Sequence, residues 1–556
     1  MALALLAAVP RLFNLLALDP FIDEVGWLDW ALRQFNPGDP SSWWLPTAAE
    51  GRPPLYFWLL LPTRELPGNA FIGGRVVAAL CGVASTVALY ALGRSLLGSR
   101  VGLVAGVLWA LGPFDVFFSR MASSDDALLA LCAILAALGG ALMVRRPGLG
   151  SGAFCGVGVG LAIMSKTLGL LTVPTPLLAL LTLAGPGALP RLLRPALAGV
   201  IAALVILAPL VPWLPQITGK AAQHTDLGPS GIAPQGAASQ LWAGGLFHGD
   251  LFRVNVQWTL QVLPPYIGWV TLGLAGLGIA LGALRRERAV LYLALVWAIP
   301  FLLTLNYTTT FFTRYLLFSS FPLYVLAASA IVWLAEAAAG GIARLPGSGG
   351  GRPAVGSALL GVGVVLGLGP VLPLTLGILT APRQAPLPRL DHFQYVEQWY
   401  AVDGLGRVAQ LLRDEARSGP VTVLVPRPTY TSREIMLLPN EALRLYLRGE
   451  QSVRFSESGG PWDTESICDI HTWTRSDSPT FFVINGTQGR TRPAEIRDRT
   501  REIEAALARE LPEARVVLHI PRLSNTNWLD VYRLDKSAPD GARGGPGRSD
   551  GGECAG

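Results

Sequence analysis

Charge is scarce in this chain. Of its 556 residues, 15% are Asp, Glu, Lys or Arg and 51% are apolar, whereas an ordinary soluble domain carries about 25% charged residues. A soluble chain of this length needs that charge to cover its surface. A wholly soluble enzyme is therefore excluded, and so is a disordered protein. Cysteine is scarce too. Five residues in no pairable pattern exclude a disulfide scaffold and a zinc ribbon. The histidines at 224, 248, 392, 471 and 519 form no H-x-x-x-H pair, so no dedicated zinc site is expected. There is no GxxxxGK[ST] loop and no Rossmann glycine fingerprint after a strand, which removes a nucleotide site. No internal repeat is visible. The formal charge of +6 sits in short basic clusters between apolar runs, so no nucleic-acid partner is expected.

Long apolar runs are what the chain has. A membrane-crossing helix needs about 20 largely apolar residues. Eleven stretches qualify, near 1–18, 71–97, 101–118, 126–143, 151–165, 167–184, 197–214, 265–283, 289–304, 315–338 and 354–379. The first has no basic leader and no A-x-A cleavage site, so it reads as a membrane helix that starts abruptly, with a few upstream residues missing. Basic residues follow every second stretch: Arg94 and Arg100, Arg145 and Arg146, Arg191 and Arg194, Arg285, Arg286 and Arg288, Arg344 and Arg352. With a cytoplasmic N-terminus all of them fall inside. The opposite face then holds the loop 19–70, the turns near 115–125 and 165–167, the loop 215–264, the turn 305–313 and everything after about 382.

The expected fold is a polytopic α-helical membrane domain over 1–381 and an extracytoplasmic α/β domain over 382–536, with a disordered Gly/Asp/Arg/Pro tail over 537–556. Residues 347–353 read as a flexible cytoplasmic linker. In the outer domain, Val421–Val425 and Phe481–Ile484 read as buried strands and Val516–Ile520 as a third apolar run. Arg407–Arg417 and Ala494–Glu510 read as amphipathic helices.

Acids and bases gather on the outer face. The first loop opens with Asp19, Asp23, Glu24 and Asp29, and Asp125–Asp126 begin the fourth stretch. Asp23–Glu24 also fit a solvated helix N-terminus, where acids favour the dipole, and Asp125 also fits an N-cap after Ser123–Ser124. Two acidic sites far apart in sequence nevertheless end at one membrane face, where ionisable groups are costly unless solvated or functional. Lys166 breaks the positive-inside trend. It reads either as a snorkelling lysine or as a phosphate ligand, and Arg314 has the same two readings. Arg120, one turn before Asp125, reads as a partner for a carboxylate or for the same ligand. Arg52 introduces the aromatic stretch Pro53–Trp58, which includes Tyr56, as at a membrane interface. Acids and cations at one mouth of a lipid-exposed body suit a substrate with a phosphate head and a greasy tail, with a carboxylate acting as general base on an acceptor hydroxyl. Metal binding by Asp23, Glu24 and Asp125, using a divalent cation, stays open.

In order and context these residues resemble the GT-C class of membrane glycosyltransferases. They are most similar to bacterial glycosyltransferase family 39, alongside protein O-mannosyltransferases and lipid A aminoarabinose transferases. The resemblance rests on Asp23–Glu24 after a first helix, Arg52–Pro53–Pro54–Leu55–Tyr56–Phe57–Trp58–Leu59, and Gly73–Gly74–Arg75 leading to Leu92–Gly93–Arg94. It continues through Ser119–Arg120–Met121–Ala122–Ser123–Ser124–Asp125, Ser165–Lys166–Thr167 and Arg314–Tyr315–Leu316–Leu317 with Pro322. Gln394–Tyr395–Val396–Glu397 and Gly404–Leu405–Gly406 also occur in such chains. Where many relatives have Gly–Pro after the lysine, this chain has Thr167–Leu168.

The resemblance implies an inverting transfer of a hexose or pentose from a polyprenyl-phosphate sugar to a hydroxyl of a protein, a lipid or an envelope glycan. Asp23, with Glu24 beside it, is then the base or acceptor-orienting acid. Asp125 is the second acid, with Asp126 as the fallback. Lys166 and Arg314 hold phosphate, and Arg52, Tyr56, Arg120 and Tyr315 line the substrate. The implied place is a bacterial plasma membrane, among membrane lipids, with the site facing outward. Two other classes compete: a polyprenyl-lipid transporter or flippase, and an envelope scaffold component. The near absence of charge inside the apolar stretches, and the absence of a broken-helix pair in two halves, speak against a transporter. The triplets Asn306–Tyr307–Thr308 and Asn485–Gly486–Thr487 carry little weight in a chain of bacterial, Ala/Gly/Leu/Arg-rich composition.

Overall fold

The structure is a computed structural model of the chain. It describes residues 1–185, 187–221, 247–308, 311–342, 352–397, 401–425, 438–457, 478–487, 504–505, 508, 514–521 and 527–534. The chain forms two compact units. The first comprises Met1–Ala17, Trp30–Leu61 and Gly74–Leu390; the second comprises Leu18–Asp29, Pro62–Gly73 and Asp391–Gly556. Residues 18–29 and 62–73 thus group with the C-terminal part of the chain.

The first unit is helical, because runs of Leu, Ala, Val and Gly bury no polar side chain and the helix satisfies its own backbone. Each of the eleven apolar stretches contains helix, but the lengths are unequal, and residues 13–18 of the first form a turn. Among the described residues five helical runs are long and apolar enough to cross a membrane: Ala70–Leu97, Asp125–Arg145, Pro190–Ile217, Arg288–Tyr307 and Thr313–Gly340. The pair Gly249–Ile267 and Trp269–Leu284 is bent by 98°, and the pair Val355–Leu368 and Leu372–Thr380 by 61°. Counting each pair as one span gives up to seven. Ala2–Leu12, Ser99–Leu111, Leu149–Ser165 and Thr167–Leu183 are shorter. Eleven full-length crossings therefore do not follow from helix length. The breaks have local causes. Gly268 joins the first bent pair at φ +87°, a left-handed conformation that suits glycine. Gly369–Pro370 interrupts the second.

Helix Leu149–Ser165 is held on two sides by close backbone approach. A Cβ on Gly139 would stand 2.5 Å from Cys155 Cα, and one on Gly158 would stand 2.7 Å from Ala136 N, against helix Asp125–Arg145. On the other side a Cβ on Gly152 or Gly156 would overlap the carbonyl oxygens of Pro195 and Gly199 in helix Leu189–Leu207. Small residues four apart give such close crossings in apolar surroundings. The basic ends are tied as well. Arg145 hydrogen-bonds the carbonyls of Ser95 and Leu96 at the end of helix Ala70–Leu97, where a cation also suits the helix C-terminus.

The second unit carries a mixed five-stranded sheet. Its strands are β1 (Val421–Val425), β2 (Val453–Glu457), β3 (Thr480–Thr487), β4 (Arg515–Pro521) and β5 (Asn527–Leu534), in the order β2-β1-β3-β5-β4. The β1 strand pairs in parallel with β2 and β3; β5 runs antiparallel to β3 and β4. The continuous apolar run of β1 is buried throughout, as suits a central parallel strand. Helix Leu405–Ala416 buries Leu405, Val408, Ala409 and Leu412, the i, i+3, i+4, i+7 stripe of a core-facing helix. The expected helix Ala494–Glu510 lies mostly outside the described residues, and the tail 537–556 lies wholly outside them.

Candidate active site

The site is built where helix Asp125–Arg145 begins. The preceding turn places Ser124 at the N-cap, and its Oγ accepts a hydrogen bond from Ala127 N at 3.2 Å. Asp125 and Asp126 then occupy the first turn, where carboxylates suit the exposed N–H groups. Both are buried. Lys166 ends helix Leu149–Ser165 in an extended conformation, and the glycine contacts that fix this helix against Asp125–Arg145 bring its side chain to the acids. The Lys166 ammonium donates to Asp125 Oδ1 at 3.0 Å and to Asp126 Oδ1 at 2.7 Å. It also sits over the Tyr315 ring at 4.8 Å.

Arg314 and Tyr315 arrive on the turn Thr313–Leu316 ahead of helix Leu317–Ile342. Arg314 Nε stands 3.7 Å from Asp126 Oδ2, and its guanidinium lies over Phe312 at 4.8 Å. Burial pulls the Lys166 pKa down, but the Asp125 and Asp126 carboxylates more than offset this, so the pKa is raised and the amine stays charged. An ammonium has three protons to donate. Two go to carboxylates, and the side chain remains 15% exposed. The arrangement can take up an anion beside two carboxylates.

Other expected site residues have different surroundings. Arg120 does not meet Asp125. Its guanidinium donates to the carbonyls of Pro10 and Phe13, both at 2.6 Å, and of Asn14 at 2.8 Å. It thereby caps the end of helix Ala2–Leu12. Burial, then repulsion from Arg75 and Arg11, pushes its pKa down to about 10. Tyr56 is fully buried, and its hydroxyl donates to Ala122 O at 3.0 Å. Tyr56 and Arg120 hold the turn that launches the acidic helix. Arg52 is half-buried after Gly51, and its carbonyl accepts from Thr47 Oγ1 at 2.8 Å.

Asp23 and Glu24 belong to the second unit, in the first turn of helix Ile22–Asp29. Glu24 is 0% exposed, and its Oε1 accepts from Phe21 N at 3.1 Å, which is the returning half of a capping box. Asp23 is half-buried. Among the described residues no group of three or more His, Cys, Asp or Glu is arranged to hold a metal ion.

One ionic feature escaped the sequence reading. Arg11 is fully buried and bonds Asp115 Oδ2 through Nε at 3.1 Å and Nη2 at 2.5 Å. The near absence of charge inside the apolar stretches is thereby corrected. The signal was there: one Arg and one Asp, each alone in an apolar run, where an ionisable group needs a partner.

Comparison with known proteins follows the same residues. Residues 51–214 match the dolichyl-phosphate-mannose-protein mannosyltransferase family, a stretch that holds Arg52, Tyr56, Arg120, Asp125, Asp126 and Lys166. The lipid A galacturonosyltransferase RgtD of Rhizobium johnstonii is 26% identical over 217 residues, which is 39% of this chain and 42% of that protein. The match thus spans less than half of that relative. The crystal structure of ArnT from Cupriavidus metallidurans is similar in the apo state with a TM-score of 0.55, at 16% identity over 95% of this chain and 96% of that one. The same protein bound to undecaprenyl phosphate gives 0.53, with 95% and 97% covered, again at 16% identity. The apo oligosaccharyltransferase of Archaeoglobus fulgidus gives 0.51 at 13% identity over 80% of this chain and 64% of that one. At such identities the likeness is one of fold.

Proposed function

We propose, from the premise that this chain is a GT-C protein similar to glycosyltransferase family 39, that it moves a monosaccharide from a polyprenyl-phosphate sugar to an acceptor hydroxyl. The observation that carries the proposal is the buried cluster of Asp125, Asp126, Lys166 and Arg314. Two cations and two carboxylates share one pocket of charge, and Lys166 keeps an unspent donor. A prenyl phosphate supplies the anion for the cations and the apolar tail for the helices. In the reaction the acceptor oxygen forms a bond to C1 as the bond from C1 to the phosphate oxygen breaks. The electron pair leaves on the polyprenyl phosphate, and the acceptor proton passes to a carboxylate. Lys166 and Arg314 stabilise the leaving phosphate, where preorganised charge lowers the barrier most. Asp125 and Asp126 hold Lys166 in place. Asp23 takes the proton, a role assigned by the family resemblance. Attack opposite the phosphate inverts the anomeric centre.

The acceptor class proposed is a protein, lipid or envelope-glycan hydroxyl. The relatives, a lipid A galacturonosyltransferase and a protein mannosyltransferase family, support the lipid and protein members of that range. The proposed location is a bacterial plasma membrane, with the site and the C-terminal unit on the outer face. The test is reconstitution in nanodiscs with a panel of radiolabelled polyprenyl-phosphate sugars and crude acceptor, with and without divalent cation. Release of sugar by the wild type, and its loss in Asp23→Asn and Asp125→Asn, is expected. Full turnover in either variant overturns the role given to that residue. Dependence on added divalent cation would restore the metal reading of the acids.

A further inference from the structure

Helix Leu405–Ala416 in the C-terminal unit begins at Gly404, which has no side chain with which to cap it. The position requires glycine. Its φ is +100°, and a Cβ there would press on Ile520 at 3.1 Å. The first N–H groups of a helix must find an acceptor, and here it comes from 385 residues upstream. Asp19 Oδ2 accepts from Gly404 N at 2.8 Å, and Asp19 Oδ1 accepts from Gly406 N at 3.2 Å. A carboxylate bound to two N–H groups at a helix N-terminus gains from charge-assisted bonds and from the dipole together.

Next to this clasp the chain adds three further ties. Val402 N donates to Pro20 O at 3.0 Å, and Phe21 forms an antiparallel bridge with Ala401. The Phe21 ring lies 4.9 Å from Tyr395. Immediately after Phe21 comes helix Ile22–Asp29, which carries Asp23 in its first turn and which Glu24 ties back to Phe21 N. Residues 19–21 are therefore built into the C-terminal unit as one extended strap, and the helix with Asp23 starts directly from it.

We infer that Asp19 is a positioning residue for Asp23: by capping helix Leu405–Ala416 it fixes the strap from which the Asp23 helix departs. The inference rests on the assignment of Asp23 as base.

The experiment compares Asp19→Ala, Asp19→Asn and Asp23→Asn in the full-length protein in nanodiscs. Two readouts are taken: steady-state sugar transfer, and amide hydrogen exchange over 18–29 and 401–408. In Asp19→Ala, protection should fall in both segments together. The kcat should drop on the order of 10²-fold with KM for the lipid donor unchanged, as for a reacting group displaced by about 1 Å. Asp19→Asn, which keeps an acceptor oxygen of the same shape, should fall between wild type and Asp19→Ala in both readouts; it also carries the test if Asp19→Ala does not accumulate. A loss of kcat with protection intact would overturn the inference, because Asp19 would then act on substrate directly. Loss of protection with kcat intact would overturn it equally. Asp23→Asn separates the underlying reading. Its turnover should vanish while protection in both segments stays at the wild-type level, and full turnover there would remove the base assignment itself.

Discussion

Two buried ionic groups lie ten residues apart on one stretch of chain, at Asp115 and at Asp125, and they are built to opposite ends. The Asp115 group is closed. Arg11 spends its donors on Asp115 and on the carbonyls of Ala7, Ala110 and Trp109. Neither partner reaches the surface, with side-chain exposures of 0% and 1%. Gly82 makes room for it, since a Cβ there would stand 2.5 Å from Arg11 Nε. The Asp125 group is open. Lys166 spends two of its three protons on Asp125 and Asp126 and keeps a donor and some exposure. Asp115 Oδ1 is buried with no hydrogen-bond partner among the described residues, but every Arg11 donor is spent, so this pair offers no donor to a ligand and serves to hold helices together. A cluster whose ammonium still has a proton to give can receive a ligand. Burial and charge alone do not tell them apart; the tally of donors does.

That contrast can be broken by experiment. The largest effect is expected at the closed pair. Arg11→Met strands the Asp115 carboxylate and should cost about 3–5 kcal/mol, seen as loss of folded protein in a detergent thermal-shift assay. The double variant Arg11→Met/Asp115→Leu should recover most of it. Failure to recover would mean that Asp115 serves something besides Arg11. At the open cluster, Asp125→Asn should leave folded protein at wild-type yield while sugar transfer falls on the order of 10²-fold or more. Unfolding of this variant would erase the distinction.

Tyr56→Phe removes one hydrogen bond to Ala122 and should cost about 0.5–1.5 kcal/mol of stability. Any further loss of turnover would measure how strictly the turn before Asp125 must be held. The smallest effect concerns pH. The Lys166 pKa is raised above the ordinary lysine value of 10.5, so its contribution to stability is complete below that value and is lost only as pH rises through the raised one. The unfolding midpoint should therefore respond to Lys166 only in strong alkali. A Lys166-dependent fall beginning near neutrality, absent from Lys166→Met, would contradict the pairing.

Much of this was legible beforehand. Each apolar stretch contains helix, and the meeting of Asp125 and Asp126 with Lys166 could be read from one lysine out of place in the charge pattern. The β1 strand coincides with its apolar run. Helix lengths were not legible, because a hydropathy window passes over Gly268 and Gly369–Pro370 while the backbone bends at both. Arg120 misled through its spacing. One helical turn separates it from Asp125 only if the segment is helical, and residues 119–124 form a turn that sends the guanidinium to helix Ala2–Leu12 instead. The strands β2 and β5 were missed because charged and polar residues interrupt their apolar pattern.

The glycines of helix Leu149–Ser165 carry a further consequence, one of leverage. Gly152 lies against Pro195 near one end of this rod, and Lys166 follows at the other, about 20 Å away at 1.5 Å per residue. A methyl group at 152 has nowhere to go but into the Pro195 carbonyl, so the rod must tilt. A tilt of about 5° over that length swings the far tip by roughly 2 Å, enough to take the amine out of reach of both acids. The accuracy of the charged cluster is thus set by a hydrogen atom at the opposite end of the helix.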